Sequence, residues 1–389
     1  MFFNGPAHVR TDATLFPAST CVPVEQDLPV LPQDLARALF ITGRAPYDQT
    51  KHGRSSAYEW CHRVAVLPAY LSWSDDPVRR ITRTDLAREL DPSEKGMLSY
   101  TLGQAMCQIF AERQLSVRFF MHVARYASAS ASASAYNLTF APGRSRADFF
   151  GERTVGGYVV AEAKGRSGPL TKELREAMEE QKRTVKTIKG EVPKIAYASA
   201  VHFSSSHSPM RLTAIDPDTA DPRAVDLPVD PDLHVLAYYT PFLDAFAHQE
   251  PLNLGDYVVA GFAALGVTLG VLAPVLQRVE RAARRNEIAG LRDDILSLLA
   301  RHRPRQERTL YIDGTLFAAD WTVPEDRRRP GRRDSEVLPD FLHEAFRSMN
   351  EEVDWRVASV EEGDLDWRDL SPARGYMPGI LPQGDLLEG

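Results

Sequence analysis

Apolar residues recur along this chain in two rhythms. Between 94 and 115, Met97, Tyr100, Leu102, Ala105, Ile109 and Leu115 return at roughly helical spacing, which predicts a long helix capped by Ser93. Shorter helical patterns cover 33–40, 55–71 and 84–90, the last with Thr84 as its cap. Runs of β-branched and aromatic residues predict strands at 117–126, 147–151, 158–163, 194–203 and 210–215, with a further short one at 136–140. Gly156-Gly157 makes a hairpin of the 147–151 and 158–163 runs. After them a helix begins at Gly168-Pro169 and continues to 188. The order is helix, three strands, helix, strand. It predicts an α/β fold with a mixed central sheet flanked by helices.

The rest of the pattern sets boundaries. Residues 1–32 are rich in proline and aperiodic, and read as a loosely ordered arm. The alternating Ala/Ser run 127–135 has no side chain able to anchor a core and reads as a loop. Residues 216–233, rich in Asp and Pro, mark a boundary, so three regions are expected: 1–92, 93–215 and 216–389. In the last of these, 236–248 reads as a helix, 274–300 as another, 310–321 as a strand and 336–349 as a helix, with an Arg-rich loop at 327–333 and a polar tail. Residues 258–276 carry no charge and approach the length of a membrane span. Their glycines and β-branched residues favour two buried strands, Tyr257–Phe262 and Val267–Leu272, and no membrane is expected.

Composition narrows the class. Over 389 residues the chain is 43% apolar and 25% charged, as in an ordinary globular protein. A net charge of −7 argues against a surface that coats nucleic acid everywhere, yet it leaves room for a local basic site. Residues 141–190 hold eleven Lys/Arg against seven Asp/Glu. Three scattered cysteines without a CxxC pair indicate neither a zinc knuckle nor a disulfide framework. With no basic start and apolar run at the N-terminus, a reducing cytoplasm is the expected compartment.

The chemistry concentrates in the hairpin. If its turn centres near Val155, residues whose numbers sum to about 310 face each other, and Asp148 lies opposite Glu162. Like charges so placed repel in a plain sheet. A divalent cation between them reverses the sign, and Mg²⁺ takes one or two carboxylates while keeping several waters. The Ala163 carbonyl is a candidate further ligand. Lys164 shares a face with Glu162, where an ammonium can stabilise charge building on a phosphate. Arg144, Arg146, Arg166 and Lys182 are the candidate phosphate contacts.

Asp148 at a strand start, followed by Glu162-Ala163-Lys164 on the next strand, resembles the PD-(D/E)XK nuclease superfamily, the restriction-endonuclease-like fold. The resemblance covers about 94–215, and Ala147 stands where that pattern has proline. It implies an αβββαβ core and Mg²⁺-dependent hydrolysis (Mn²⁺ serving as well) of nucleic-acid phosphodiesters, DNA being the expected substrate, in defence against foreign DNA or in DNA processing. It also implies a role for Gln181 in the following helix and a further carboxylate, Glu94 or Glu112, from the preceding one. A homo-oligomer or a protein partner is compatible with it. The alternative expectation is a catalytically inactive module of the same fold, used for binding or assembly.

Two further features carry less. Asp313-Gly314-Thr315 is similar to a loop of haloacid-dehalogenase-type phosphatases, but Tyr311 occupies the place of their nucleophilic Asp. His122, on the strand-like run 117–126, reads as an ordinary core or surface histidine.

Overall fold

The structure, a computed structural model, describes residues 5–43, 49–74, 76–130, 147–182, 184–216, 224–249, 251–262, 265–302, 310–319 and 321, and of 49–50 and 179–182 the backbone alone. Its strands are β1 (Ala7–Thr14), β2 (Glu25–Val30), β3 (Leu71–Trp73), β4 (Ile81–Arg83), β5 (Val117–His122), β6 (Phe149–Arg153), β7 (Tyr158–Gly165), β8 (Val185–Ile188), β9 (Ile195–Phe203), β10 (Met210–Ile215), β11 (Val225–Leu227), β12 (Leu252–Leu254), β13 (Tyr257–Phe262), β14 (Val267–Leu272) and β15 (Thr315–Ala319). Its helices are α1 (Pro32–Thr42), α2 (Gln49–His52), α3 (Arg54–Tyr70), α4 (Asp85–Glu89), α5 (Pro92–Leu115), α6 (Val123–Ala129), α7 (Lys172–Lys182), α8 (Pro231–His248), α9 (Ala273–Arg285) and α10 (Leu291–Arg301).

A seven-stranded sheet in the order β2-β1-β10-β9-β7-β6-β5 organises the molecule. It is mixed: β1 with β10 and β7 with β9 are parallel, and the other neighbours are antiparallel. The expectation of a mixed central sheet flanked by helices holds at this level. Helix α5 covers one face, where Cys107 meets Tyr197. Helix α7 covers the other, with Met178 packed on Ala198 and Ala200. The alternation of Tyr197, Ala198 and Ala200 along β9 assigns the two helices to opposite faces.

Several boundaries differ from the sequence reading, each for a local reason. Residues 5–32 are no loose arm. β1 alternates buried and half-buried positions along its length and lies inside the sheet. Thr11 at an inward position, with prolines on either side, hides that alternation. The cap of α5 is Asp91 rather than Ser93: its carboxylate accepts from the Ser93 and Glu94 amides at 2.7 and 3.0 Å, and Pro92 takes the first helical position. The 117–126 run turns from strand to helix at His122, and α6 takes in 127–129 of the Ala/Ser run. Helix α7 starts at Lys172, with Thr171 Oγ1 accepting from the Leu174 amide, and ends at Lys182. Beyond it β-branched Val185, Thr187 and Ile188 form β8, paired with β11. The helix expected over 274–300 is two helices, parted where Asn286 and Gly290 take left-handed backbone conformations. The strand at 310–321 shortens to β15. The strand at 136–140, the Arg-rich loop at 327–333 and the helix at 336–349 lie outside the described residues.

The uncharged stretch folds as expected into β13 and β14, the middle of a four-stranded antiparallel sheet, β12-β13-β14-β15. No helix among the described residues is long and apolar enough to cross a membrane. This second sheet meets the first through α1, α3 and α8. Phe40 contacts Trp60, Phe242 and Phe317, with ring centroids 5.1, 4.9 and 5.8 Å away. The 216–233 boundary therefore divides the sequence but not the core.

A buried charge locks this junction. Arg37, on α1, is 2% exposed and reaches Thr315 Oγ1 at 2.9 Å and Asp313 Oδ2 at 2.8 Å, with Glu112 of α5 on its third side. Its guanidinium lies 3.9 Å from the ring centre of Tyr311, whose hydroxyl donates to Asp34 at 2.8 Å. Burial works to raise the Asp313 carboxyl, but Arg37 and donors from Tyr238 and Thr315 outweigh it and hold that group below its ordinary value. Burial pushes the Glu112 carboxyl up. The phosphatase-like Asp313-Gly314-Thr315 turn is thus a structural anchor.

Helix α5 also touches β7 backbone to backbone. A Cβ at Gly103 would sit 2.5 Å from the Lys164 carbonyl oxygen, and one at Gly165 only 1.7 Å from the Ser99 carbonyl oxygen. Two outcomes follow for urea unfolding. Arg37→Met strands buried carboxylates and should cost about 3–5 kcal/mol. Gly165→Ala should cost about 3 kcal/mol or more, because α5 must retreat, whereas Gly168→Ala, with no atom within 4 Å, should stay within about 0.5 kcal/mol of the parent.

Candidate metal and phosphate site

The hairpin register is the one the numbering arithmetic requires. Phe149 pairs with Ala161 and Phe150 with Val160. The turn uses Gly156 and Gly157 at φ of 91° and 82°, values that side chains other than glycine rarely adopt, and Val155 stands 73% exposed at its tip. Asp148 lies one residue before β6, opposite Glu162. Its amide donates to the Ala161 carbonyl at 3.1 Å, and its Oδ2 accepts from the Ala163 amide at 3.0 Å. The N–H and C=O of one extended residue point to the same strand edge, so the Ala163 carbonyl is also directed toward the Asp148 side.

Glu162 sits in a central strand beside Ala198 of β9, with its side chain 1% exposed. Oε1 takes the ammonium of Lys164; Oε2 has no hydrogen-bond partner among the described residues. Lys164, two residues on, is 28% exposed. Burial, then the charge of Asp148, pushes the Glu162 carboxyl up to about 8, against the pull of Lys164. Burial also raises Asp148. The charge of Asp148 thus works against ionisation of Glu162, whereas Asp148 itself is raised by burial alone and lowered by its hydrogen bonds and by Lys164.

Other candidates scatter. Gln181 and Lys182 lie in the last turn of α7, and their side chains are outside the described set. Arg144 and Arg146 also fall outside the described residues. Arg166 follows β7 and is exposed, its amide bonded to the Val201 carbonyl at 2.8 Å. Neither acid of α5 joins the pair: Glu94 closes the capping box with the Asp91 amide at 3.1 Å, and Glu112 belongs to the Arg37 cluster.

Two further residues stand at the site, Thr184, which the sequence reading left inside a helix, and His122, which it took for an ordinary core or surface histidine. Thr184 Oγ1 accepts from the Ala147 amide at 3.0 Å, tying the turn after α7 to the approach to Asp148. Reading 184 as helix interior concealed this. His122 Nε2 lies 4.0 Å from Asp148 Oδ1. The available signal was a polar residue at a strand-to-helix change.

Among the described residues no group of three or more His, Cys, Asp or Glu is placed to hold a metal ion. The site offers two facing carboxylates, one of them with a buried oxygen that has no partner among the described residues, and a backbone carbonyl. That donor set fits Mg²⁺, which uses few carboxylates and retains waters. Compared with models of protein families, with curated proteins and with solved structures, the chain has no match.

The Glu162 shift gives a signed pH effect. Without metal, the folded protein holds that proton up to about pH 8, whereas the unfolded chain releases it near 4.5. The stability due to the neutral buried carboxyl is complete below pH 4.5 and is lost as pH rises through 8. Glu162→Gln should unfold at the same temperature as wild type near pH 4.5 and be more stable by a few kcal/mol (~1.4 per pKa unit) at pH 8.5 in EDTA, measured by calorimetry.

Proposed function

We propose that this protein is a Mg²⁺-dependent nuclease of the PD-(D/E)XK kind, acting on DNA. The observation that carries the reading is the pair of half-buried Asp148 and buried Glu162, opposed across a hairpin in register, with Lys164 on the same face and one Glu162 oxygen without a partner among the described residues. Facing carboxylates repel unless a cation offsets them, and with Lys164 as its only described cation the Glu162 carboxyl is still pushed up, which a divalent ion would reverse. The element order α5, β5, β6, β7, α7, β9 supports the same reading, since it is the αβββαβ order the resemblance implies, with α6 and β8 as additions.

Asp148 and Glu162 hold the divalent ion in this reading, with the Ala163 carbonyl as a further donor. The ion, when bound, supplies charge to the phosphate and lowers the pKa of a coordinated water. Lys164 leaves Glu162 Oε1 for the non-bridging phosphate oxygens, where its ammonium stabilises the charge that builds during in-line attack. The close backbone contact of α5 at Gly103 and Gly165 sets the position of the Lys164 main chain. Arg166, Lys172 and Arg175, all exposed, are the described candidates for nucleic-acid backbone contacts, with Lys172 paired to Glu176 at 3.6 Å on a helix that carries four glutamates. Defence against foreign DNA and DNA processing are both settings for such an activity.

The test uses purified protein with linear and circular duplex DNA, single-stranded DNA and RNA, in Mg²⁺, Mn²⁺ or EDTA. Cleavage should require the cation, and Asp148→Ala and Lys164→Ala should each reduce it by about 10²-fold or more. Undiminished cleavage by both variants would sink the assignment. Binding without cleavage of any substrate would favour a non-catalytic module.

A further inference from the structure

We infer that His122 is a positioning residue for Asp148, its tautomer fixed by helix α6 and its remaining N–H turned toward that carboxylate. The inference rests on the reading of Asp148 as a metal ligand. His122 ends β5 and caps α6: its Nδ1 accepts from the Ala124 amide at 3.0 Å. An amide that donates there requires a lone pair on Nδ1, so the neutral ring carries its proton on Nε2. Nε2 is the atom that lies 4.0 Å from Asp148 Oδ1.

The surroundings hold this arrangement. The Val123 amide donates to the Asp148 carbonyl at 2.8 Å, His122 pairs with Phe149 in the β5–β6 ladder, and the imidazole stands edge-on to the Phe149 ring at 5.3 Å. The side chains of His122 and Asp148 are 11% and 22% exposed, so little water intervenes to screen them. Asp148 Oδ2 is already bonded to the Ala163 amide, and the imidazole faces Oδ1. A backbone donor thus holds Oδ2, and the ring stands on the Oδ1 side. A shift of about 1 Å brings the ring into hydrogen-bond range. Capping alone does not call for histidine, because Ser, Thr, Asp and Asn serve better there. What imidazole adds is reach to Asp148. Donors of this kind orient metal-binding carboxylates, and their loss typically weakens metal affinity 10- to 100-fold.

The test has a metal-free arm and a metal arm, both on the full chain. With histidines labelled in ¹⁵N at about pH 8.5, where an ordinary imidazole is neutral, the His122 signals are identified by their loss in His122→Asn. They should report the Nε2–H tautomer, and the Nε2 signal should move in Asp148→Asn. An Nδ1–H tautomer overturns the inference. Mn²⁺ binding is then measured by calorimetry. His122→Asn keeps a capping oxygen but ends short of the Nε2 position. It should unfold at the wild-type temperature and bind Mn²⁺ about 10- to 100-fold more weakly. His122→Ala, which loses cap and donor together, should fall in both. Wild-type Mn²⁺ affinity in His122→Asn overturns the positioning role. Wild-type protein that binds no Mn²⁺ overturns the metal-site reading and the role with it, an outcome told apart by the wild-type titration alone.

Discussion

The contact between the backbone of α5 and the backbone of β7 constrains everything around the site. Side chains usually hold a helix off a sheet, but here two glycines remove them. The Ser99 carbonyl lies where a Gly165 side chain would be, and the Lys164 carbonyl where a Gly103 side chain would be. The strand that bears Glu162 and Lys164 therefore cannot slide or tilt without moving a helix of 24 residues. That helix is in turn fixed at its far end, where Glu112 meets Arg37 and Arg113 meets Asp34. Rigidity at the hairpin is inherited from the junction of the two sheets.

The molecule contains two buried clusters of acid groups, and they are solved differently. Around Arg37 the central carboxylate is answered internally, since guanidinium, the Tyr238 hydroxyl and the Thr315 side chain surround Asp313 and hold it below its ordinary value, although burial still raises Glu112 beside it. Around Asp148 and Glu162 the answer is incomplete. Lys164 is partly exposed, Glu162 Oε2 has no described partner, and both carboxyls are driven toward their neutral forms. A fold able to satisfy the centre of one acid cluster has left the other short of positive charge, and this contrast makes the hairpin the functional candidate.

Much of this was legible in the sequence, and particular residues show why. The hairpin register followed from Gly156-Gly157 and the alternation on either side, because a turn with positive φ and a period of two leave little freedom. The strands β13 and β14 were readable from their glycines and β-branched residues. What escaped depends on residues far apart. β1 carries few large apolar side chains and becomes a strand because β10 lies beside it, about 200 positions later. Arg37 looked like any helix arginine until Asp313 enclosed it. Asp91 and Thr171 took the capping roles from neighbours that were equally plausible by type alone. His122 was visible as a residue, yet its direction is set by the helix it caps.

The pairing of β1 with β10 also orders assembly in time. Arg10 lies beside Arg211, and Asp313 beside Arg37, so both the outer part of the sheet and the lock on the junction close very long loops. Until β10 is available, β1 and β2 form only a two-stranded ribbon, which is marginal in water by itself. The hairpin β6–β7, by contrast, closes over four residues and can form early. The pair of carboxylates thus depends on a contact local in sequence, whereas the sheet's outer strands and the lock at its junction depend on the longest ones.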